Sequence, residues 1–161
     1  TAFKTVYSSL REKEIVMRRY GGNNFEVLGA AGGWVASPAE LMKLLAHIDG
    51  LPGKKDILSQ TSIEEMVHTE NGFKPIGWIS ANHNGLWRRT GTLAGTTALL
   101  KRQPNGISWV MLLNTSNKHG HDFTDRMDSV MTQFLEEVSD WPEYDLFNYS
   151  NPTPLYSFDE E

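Results

Sequence analysis

The chain has 161 residues, a net charge of −5 and 39% hydrophobic residues, the balance of an ordinary globular domain rather than of a disordered chain. The acidic balance argues against a nucleic-acid partner, which requires clustered lysine and arginine, and no apolar run approaches the roughly 20 residues of a membrane span. The absence of cysteine excludes disulfides, a catalytic thiol and thiolate metal sites.

The first part of the chain predicts two short strands and then a well-marked helix. Strand character is found in residues 5–10 and 15–20. Ser37, Pro38 and Glu40 supply an N-cap, a first-turn proline and the glutamate of a capping box. Leucines follow at helical spacing, and the pair Gly50 and Pro52 closes the predicted helix.

A second, shorter helix is expected from about Thr61 to His68. Its inner face carries the apolar residues Ile63, Met66 and Val67. Glu64 lies three residues after Thr61, so that Thr61 is the expected N-cap and Glu64 the matching residue of a capping box.

The second half of the chain predicts a sheet and a helix that covers it. Four segments are typical of strands, namely 77–81, 86–90, 96–102 and 107–114. The last two are joined by Gln103-Pro104-Asn105-Gly106, which predicts an antiparallel hairpin. The final strand is apolar at nearly every position, as in a strand covered on both faces.

A long amphipathic helix follows the strands. Its apolar stripe consists of Phe123, Met127, Val130, Met131, Phe134, Leu135 and Val138. Strands that a helix must cover indicate an α+β fold with an antiparallel sheet covered by helices. Residues 1–147 are expected to form this unit, and residues 148–161 an acidic, proline-containing tail.

The stretch most indicative of chemistry is Trp-Arg-Arg-Thr-Gly-Thr at positions 87–92. Arg89, Thr90 and Gly91 place a cation and a hydroxyl beside a backbone that a ligand can approach closely. The amides that follow can point at an oxyanion. The alternative is a glycine-rich hairpin loop whose arginines face water, because three-residue motifs also occur by chance.

The order and spacing of these segments resembles the serine β-lactamase and penicillin-binding-protein superfamily, especially its class C and esterase-like branch. Arg89-Thr90-Gly91 stands where that family carries Lys-Thr-Gly or His-Thr-Gly on a strand at the edge of the sheet. Ala31-Gly32-Gly33 looks like the family's Ala-Gly-Gly segment, and Gly77-Trp78 like the strand before the triplet. Residues 104–114 and 123–138 look like its final hairpin and C-terminal helix, so that the likeness runs from about residue 15 to 147.

The resemblance implies that residues 1–147 are the C-terminal lobe of a β-lactamase/transpeptidase-like fold. The complete protein would then hydrolyse an amide, peptide or ester through an acyl-enzyme. In this chain the implied substrate-binding residues are Trp87, Arg89, Thr90 and Gly91, and the backbone amide of Thr92 would form half of an oxyanion hole. No cofactor or metal is implied. The implied partners are a small-molecule or peptide substrate and an N-terminal lobe, in a bacterial periplasmic, cell-envelope or secreted setting.

The chain departs from the family pattern at the nucleophile. In the family, the nucleophilic serine is activated by a lysine that lies three residues later and acts as the base. No serine of this chain has a lysine three residues later. Ser8 has Arg11 at that spacing, and a guanidinium cannot act as a base. We therefore expect the nucleophile upstream of this chain and no turnover by the chain alone. Arg89 in place of lysine or histidine suits binding of a carboxylate rather than proton transfer.

Other interpretations of the sequence remain open. The chain could be a non-catalytic binding or interaction module on the same scaffold. Tyr149-Ser150-Asn151 matches the family's Tyr-x-Asn motif at the wrong end of the chain, either by coincidence or through a circular permutation. An apolar face left by a missing lobe would favour self-association.

Residue type alone leaves two interpretations open at each of two further sites. Thr1 is either an N-terminal nucleophile or simply the first residue of a segment. His119 and His121, with Asp122 or Asp125, form either a metal site or a solvated loop.

Overall fold

The computed structural model describes residues 5–117, 121–141 and 145. These residues form a small hairpin, three helices and a four-stranded sheet, so that the expected α+β class with antiparallel sheets is confirmed. The elements are β1 (Thr5–Tyr7), β2 (Ile15–Met17), α1 (Pro38–Ala46), α2 (Gln60–Met66), β3 (Ser80–Ala81), β4 (Trp87–Leu93), β5 (Thr96–Arg102), β6 (Ser108–Leu113) and α3 (His121–Glu137).

The main sheet is a meander in which each strand pairs with the next one along the chain, in the order β3-β4-β5-β6. All three pairings are antiparallel. The predicted hairpin between β5 and β6 is confirmed: the Gln103 amide donates to the Ile107 carbonyl at 2.8 Å. Gly106 has a φ of 86°, a conformation that favours glycine and that ends the turn.

Helices cover both faces of this sheet. Side chains alternate between faces along a strand, and the buried cluster on one face joins β4 to α1 and α2; its members are Leu45, Ile63, Val67, Trp78 and Trp87. Arg88 and Lys101, which face the other way, contact Asp128 of α3. The sheet therefore lies between α1 and α2 on one face and α3 on the other.

The first helix begins with the predicted capping box. The Ser37 hydroxyl accepts a hydrogen bond from the Glu40 amide at 3.2 Å, and the Glu40 carboxylate accepts one from the Ser37 amide at 2.6 Å. The backbone hydrogen bond from Ser37, with smaller contributions from its side chain and from Lys43, lowers the pKa of the Glu40 carboxyl. The ionised Glu40 carboxylate therefore stabilises the start of this helix at pH values above the ordinary pKa of a carboxyl group. This stabilisation is lost as the pH falls through the lowered pKa of Glu40.

The second helix begins earlier than expected, and the predicted capping role of Thr61 is wrong. Ser59 is the N-cap: its hydroxyl accepts from the Ser62 amide at 3.1 Å, while Thr61 lies exposed within the first turn. Glu64 accepts instead from the side-chain amide of Gln60 at 3.1 Å. Both Ser59 and Thr61 have the side-chain oxygen that a cap requires, but only Ser59 has the extended backbone of a cap residue.

We expect Ser59→Ala to lower the free energy of unfolding by about 1 kcal/mol, because it removes the acceptor for an otherwise unpaired helix amide. Thr61→Ala should change it by less than about 0.5 kcal/mol, because alanine has the higher helix propensity and no cap is lost. Urea denaturation of the two variants measures the difference. An equal loss in both, or a larger loss for Thr61→Ala, would contradict the observed cap.

The strands and the last helix also differ in extent and burial from the sequence prediction. Strand β3 has only two residues, Ser80 and Ala81, although a strand was expected from residue 77 onward; Gly77 itself, with a φ of 79°, is not extended. Strand β4 continues to Leu93, beyond the predicted end at residue 90. The strand predicted to be covered on both faces leaves Leu112 exposed, and the predicted stripe of α3 leaves Val130 and Phe134 exposed.

Candidate functional site

Strand β4 has a free edge along most of its length, because β3 is short. Strand β3 pairs only with Trp87 and Arg88. Among the described residues, the part of β4 from Arg89 to Leu93 has β5 as its one neighbouring strand. We call residues 89–93 the open rim.

Alternate backbone groups of the rim point away from the sheet. Leu93 pairs with Thr96 across a two-residue turn, which directs the amides of Leu93 and of every second residue before it toward β5. In agreement, the Arg88 carbonyl faces the other way and accepts from the Ile79 amide at 2.9 Å. The same alternation directs the amides of Thr90 and Thr92 to the open side.

Two consecutive arginines on β4 have different surroundings. Arg88 is largely buried against α3, where Nη2 lies 2.6 Å from Asp125 Oδ1 and Nε lies 3.2 Å from Asp128 Oδ2, the latter without hydrogen-bond geometry. Arg89 projects from the opposite face of the strand and is exposed. Its side chain makes no hydrogen bond or ion pair with the described residues, so that the guanidinium is available to an anion.

Gly91 occupies a position where the fold does not require glycine. Its φ is not positive, and a Cβ added there would meet only the Ala98 Cβ, at 3.9 Å. The register from Arg89 to Leu93 is continuous, which excludes a β-bulge. Glycine inside a strand costs roughly 0.5–1 kcal/mol relative to alanine. When a bulge is excluded, the usual reason for such a glycine is close approach by another backbone or a ligand.

The remaining predicted site residues lie on different sides of β4. Thr90 is buried on the face that α3 covers, and Thr92 is exposed on that same face. Trp87 stands at the other end of the strand, with its ring in the core 5.4 Å from that of Trp78. The structure thus brings Arg89, Thr90, Gly91 and Thr92 together along the open rim and places the Trp87 side chain away from it.

An ion-pair cluster behind the rim was not found from the sequence. Asp128 of α3 lies between Arg88 and Lys101, with its Oδ1 2.6 Å from Lys101 Nζ. Because successive side chains of a strand point to opposite faces, a buried Trp87 would have predicted that Arg88 and Arg89 lie on different faces of the sheet. The partner carboxylates were not predictable, because their contact depends on how α3 crosses the sheet.

Thr1, His119 and the motif Tyr149-Ser150-Asn151 lie outside the described residues, as does the side chain of His121. Among the residues that are described, no group of three or more potential ligands has the arrangement of a metal site. No helix in this part of the chain has the length and apolar character that a bilayer crossing requires.

Comparison with models of known protein families, with curated proteins and with solved structures finds no match to this chain.

Proposed function

We propose that this chain is the C-terminal lobe of a bacterial serine hydrolase similar to the β-lactamases and penicillin-binding proteins, acting on amide, peptide or ester bonds. The observation that carries the proposal is the glycine at position 91 of a regular strand. Neither the backbone conformation, nor the packing, nor a β-bulge requires a glycine there. A substrate that lies against the β4 backbone accounts for it. The exposed cation of Arg89 beside it accounts for how a substrate carboxylate is held.

In the proposed reaction a serine from the N-terminal lobe attacks the substrate carbonyl carbon. Its hydroxyl proton passes to a base of that lobe as the carbonyl oxygen becomes an oxyanion. When the oxyanion collapses, the bond to the leaving amine or alcohol breaks and the leaving group takes the proton from the base; water then hydrolyses the acyl-enzyme to release the acid and the free serine. The outward amide of Thr92 would donate to that oxyanion, supplying half of the hole. The Arg89 guanidinium would bind the carboxylate side of the substrate. The Thr90 hydroxyl, buried on the face that α3 covers, would not reach that carboxylate, so that Thr90 would offer the substrate its outward backbone amide.

Exposed apolar side chains support contact with a further lobe. The most exposed are Trp34 and Val35, at 88% and 97%, in the segment just before α1. Most of the other exposed large apolar residues also lie before residue 80, whereas the buried core is small. Such a surface is typical of an interface. In the isolated chain the same surface would favour self-association.

A second candidate function is a non-catalytic binding module on the same scaffold. It is favoured by two features of the sequence: the absence of any Ser-x-x-Lys in the chain, and an arginine where proton transfer would need lysine or histidine. In that case the open rim would bind an anionic ligand without turning it over.

Labelling with a fluorophosphonate or penicillin probe tests the proposal on the complete protein. We expect one serine outside this chain to be labelled, and Arg89→Ala to raise KM for carboxylate-bearing substrates about tenfold or more, because a charge-assisted hydrogen bond is worth roughly 1.5–3 kcal/mol. Arg126→Ala, at an exposed arginine of α3, is the matched control and should leave KM unchanged.

Two results together would contradict both the hydrolase activity and the role of the open rim in binding. They are that no serine of the complete protein is labelled, and that the Arg89→Ala variant still binds an anionic ligand. Absence of labelling with Arg89-dependent ligand binding would favour the binding module.

A further inference from the structure

A cavity lies on the face of β4 that carries Trp87 and Arg89, at the end of the strand away from Thr92. It measures about 190 Å³, several times the roughly 30 Å³ that a water molecule occupies in the liquid. It opens between the end of α1, helix α2 and the turn from β3 to β4. Among the residues that line it are Asp49, Glu64, Asn82, Gly85, Trp87 and Arg102.

Arg102 is a buried cation without a carboxylate partner in the described part of the chain. The residue is only 9% exposed. Nη1 donates to the Gly85 carbonyl at 3.0 Å, the guanidinium lies 4.7 Å from the centre of the Trp87 ring, and Nε has no hydrogen-bond partner. A buried cationic group is costly unless it is paired. The cavity beside it leaves room for an anionic group.

The turn from β3 to β4 is shaped around this guanidinium. Gly85 has a φ of 87°, and a side chain there would collide with Nη1 of Arg102. The Asn82 side chain accepts from the Leu86 amide at 3.0 Å, which fixes the same turn. The position of Arg102 at the cavity is therefore set by the backbone.

Carboxylates line the same cavity as the buried cation. Glu64 is exposed on α2, where Gln60 Nε2 donates to its Oε1, and Asp49 follows the end of α1, where its Oδ1 accepts from the Leu51 amide. Neither carboxylate is within ion-pair distance of Arg102. A ligand that places an anion at Arg102 and a cation at these carboxylates would complement both charges.

From this arrangement we infer that the cavity binds a small zwitterionic α-amino acid, with its carboxylate at Arg102 and its ammonium group at Glu64 and Asp49. The planar guanidinium matches a carboxylate in shape. This site is separate from the open rim and does not depend on the proposed hydrolase activity.

The test is a titration of the isotope-labelled chain with glycine, acetate and methylamine, followed by NMR at the Gly85 amide and the Trp87 indole. We expect glycine to give saturable shifts at both positions and to bind more tightly than either single-charge probe. Glu64→Gln should weaken glycine binding about three- to fivefold, the size of an exposed ion pair, and strengthen acetate binding. Glu65→Gln, at the neighbouring exposed position outside the cavity, is the matched control and should change neither.

Four results would overturn the inference. The first is the absence of saturable shifts with glycine. The second is that Glu64→Gln strengthens glycine and acetate binding alike, which would indicate a site for anions only. The third is an equal effect of Glu64→Gln and Glu65→Gln. Arg102→Met should abolish the glycine shifts if it folds; if it unfolds, the comparison of the two glutamate variants decides. Shifts at Thr92 instead of Gly85 would place the ligand at the open rim and would also count against this site.

Discussion

Gly91→Val in the complete protein should lower the rate of active-site acylation about a hundredfold or more without lowering the stability of the fold. A Cβ at this position meets only Ala98, and valine is favoured in strands, so the sheet accommodates the change. On the proposed substrate path, the added methyl groups would hold the carbonyl away from the Thr92 amide. A displacement of about 1 Å from the reactive geometry costs on the order of a hundredfold in rate. Pre-steady-state labelling with a chromogenic ester and a thermal melt measure the two effects.

Gly106→Ala is the matched control for Gly91→Val. Gly106 has a φ of 86° in the turn from β5 to β6, where alanine is strained, so this variant should lose stability and keep its acylation rate. Gly91→Ala should fall between the wild type and Gly91→Val. If Gly91→Val acylated at the wild-type rate, the substrate would not lie against this part of β4, and the main support for the proposed function would be lost.

Asp128→Asn should be strongly destabilising, by about 2–3 kcal/mol in the free energy of unfolding. Its carboxylate is 17% exposed and lies between two largely buried cations, with 3.2 Å to Arg88 Nε and 2.6 Å to Lys101 Nζ. Without the negative charge of Asp128, Lys101 and Arg88 lose a carboxylate partner between the sheet and α3. Loss of one partner of a buried ion pair lowers the free energy of unfolding because it leaves a buried charge uncompensated. Urea denaturation followed by far-UV circular dichroism measures the change.

Asp125→Asn provides the control on the same helix. Asp125 also pairs with Arg88, at 2.6 Å, but its side chain is 64% exposed, so the expected loss is below about 1 kcal/mol. Raised salt should reduce the loss in the free energy of unfolding caused by Asp125→Asn more than the loss caused by Asp128→Asn. The reason is that dissolved ions screen the exposed pair more strongly than the buried one. Equal losses in the two variants would show that burial does not determine the strength of this cluster.

The parts of the fold that were predicted correctly are those encoded by neighbouring residues. The capping box of α1 needs only Ser37 and Glu40, three positions apart. The turn from β5 to β6 needs only its own four residues, of which Gly106 supplies the positive φ. Strand β5 was predicted over the residues that form it, because β-branched and apolar residues are clustered there.

The errors arose where several local choices were equally good or where distant contacts decide. Ser59 and Thr61 both qualify as a cap, and the packing of Ile63 and Val67 into the core selects the helix register. The open rim depends on where β3 begins, because in the observed antiparallel register the partners of Arg89 to Gly91 would be residues before Ser80. Arg89 and Thr90 were predicted to lie on a strand, but Gly91 fell beyond its predicted end, and only the family resemblance implied an edge position for the three residues. The separation of the Trp87 side chain from them was visible only in three dimensions.

The pairing of every strand of the main sheet with its neighbour in the chain has a consequence for how the protein reaches its structure. Such pairings close only short loops, so the contact order of the sheet is low and little chain entropy is lost before the first hydrogen bonds form. Residues 80–113 can therefore assemble early, as a nucleus onto which the helices condense.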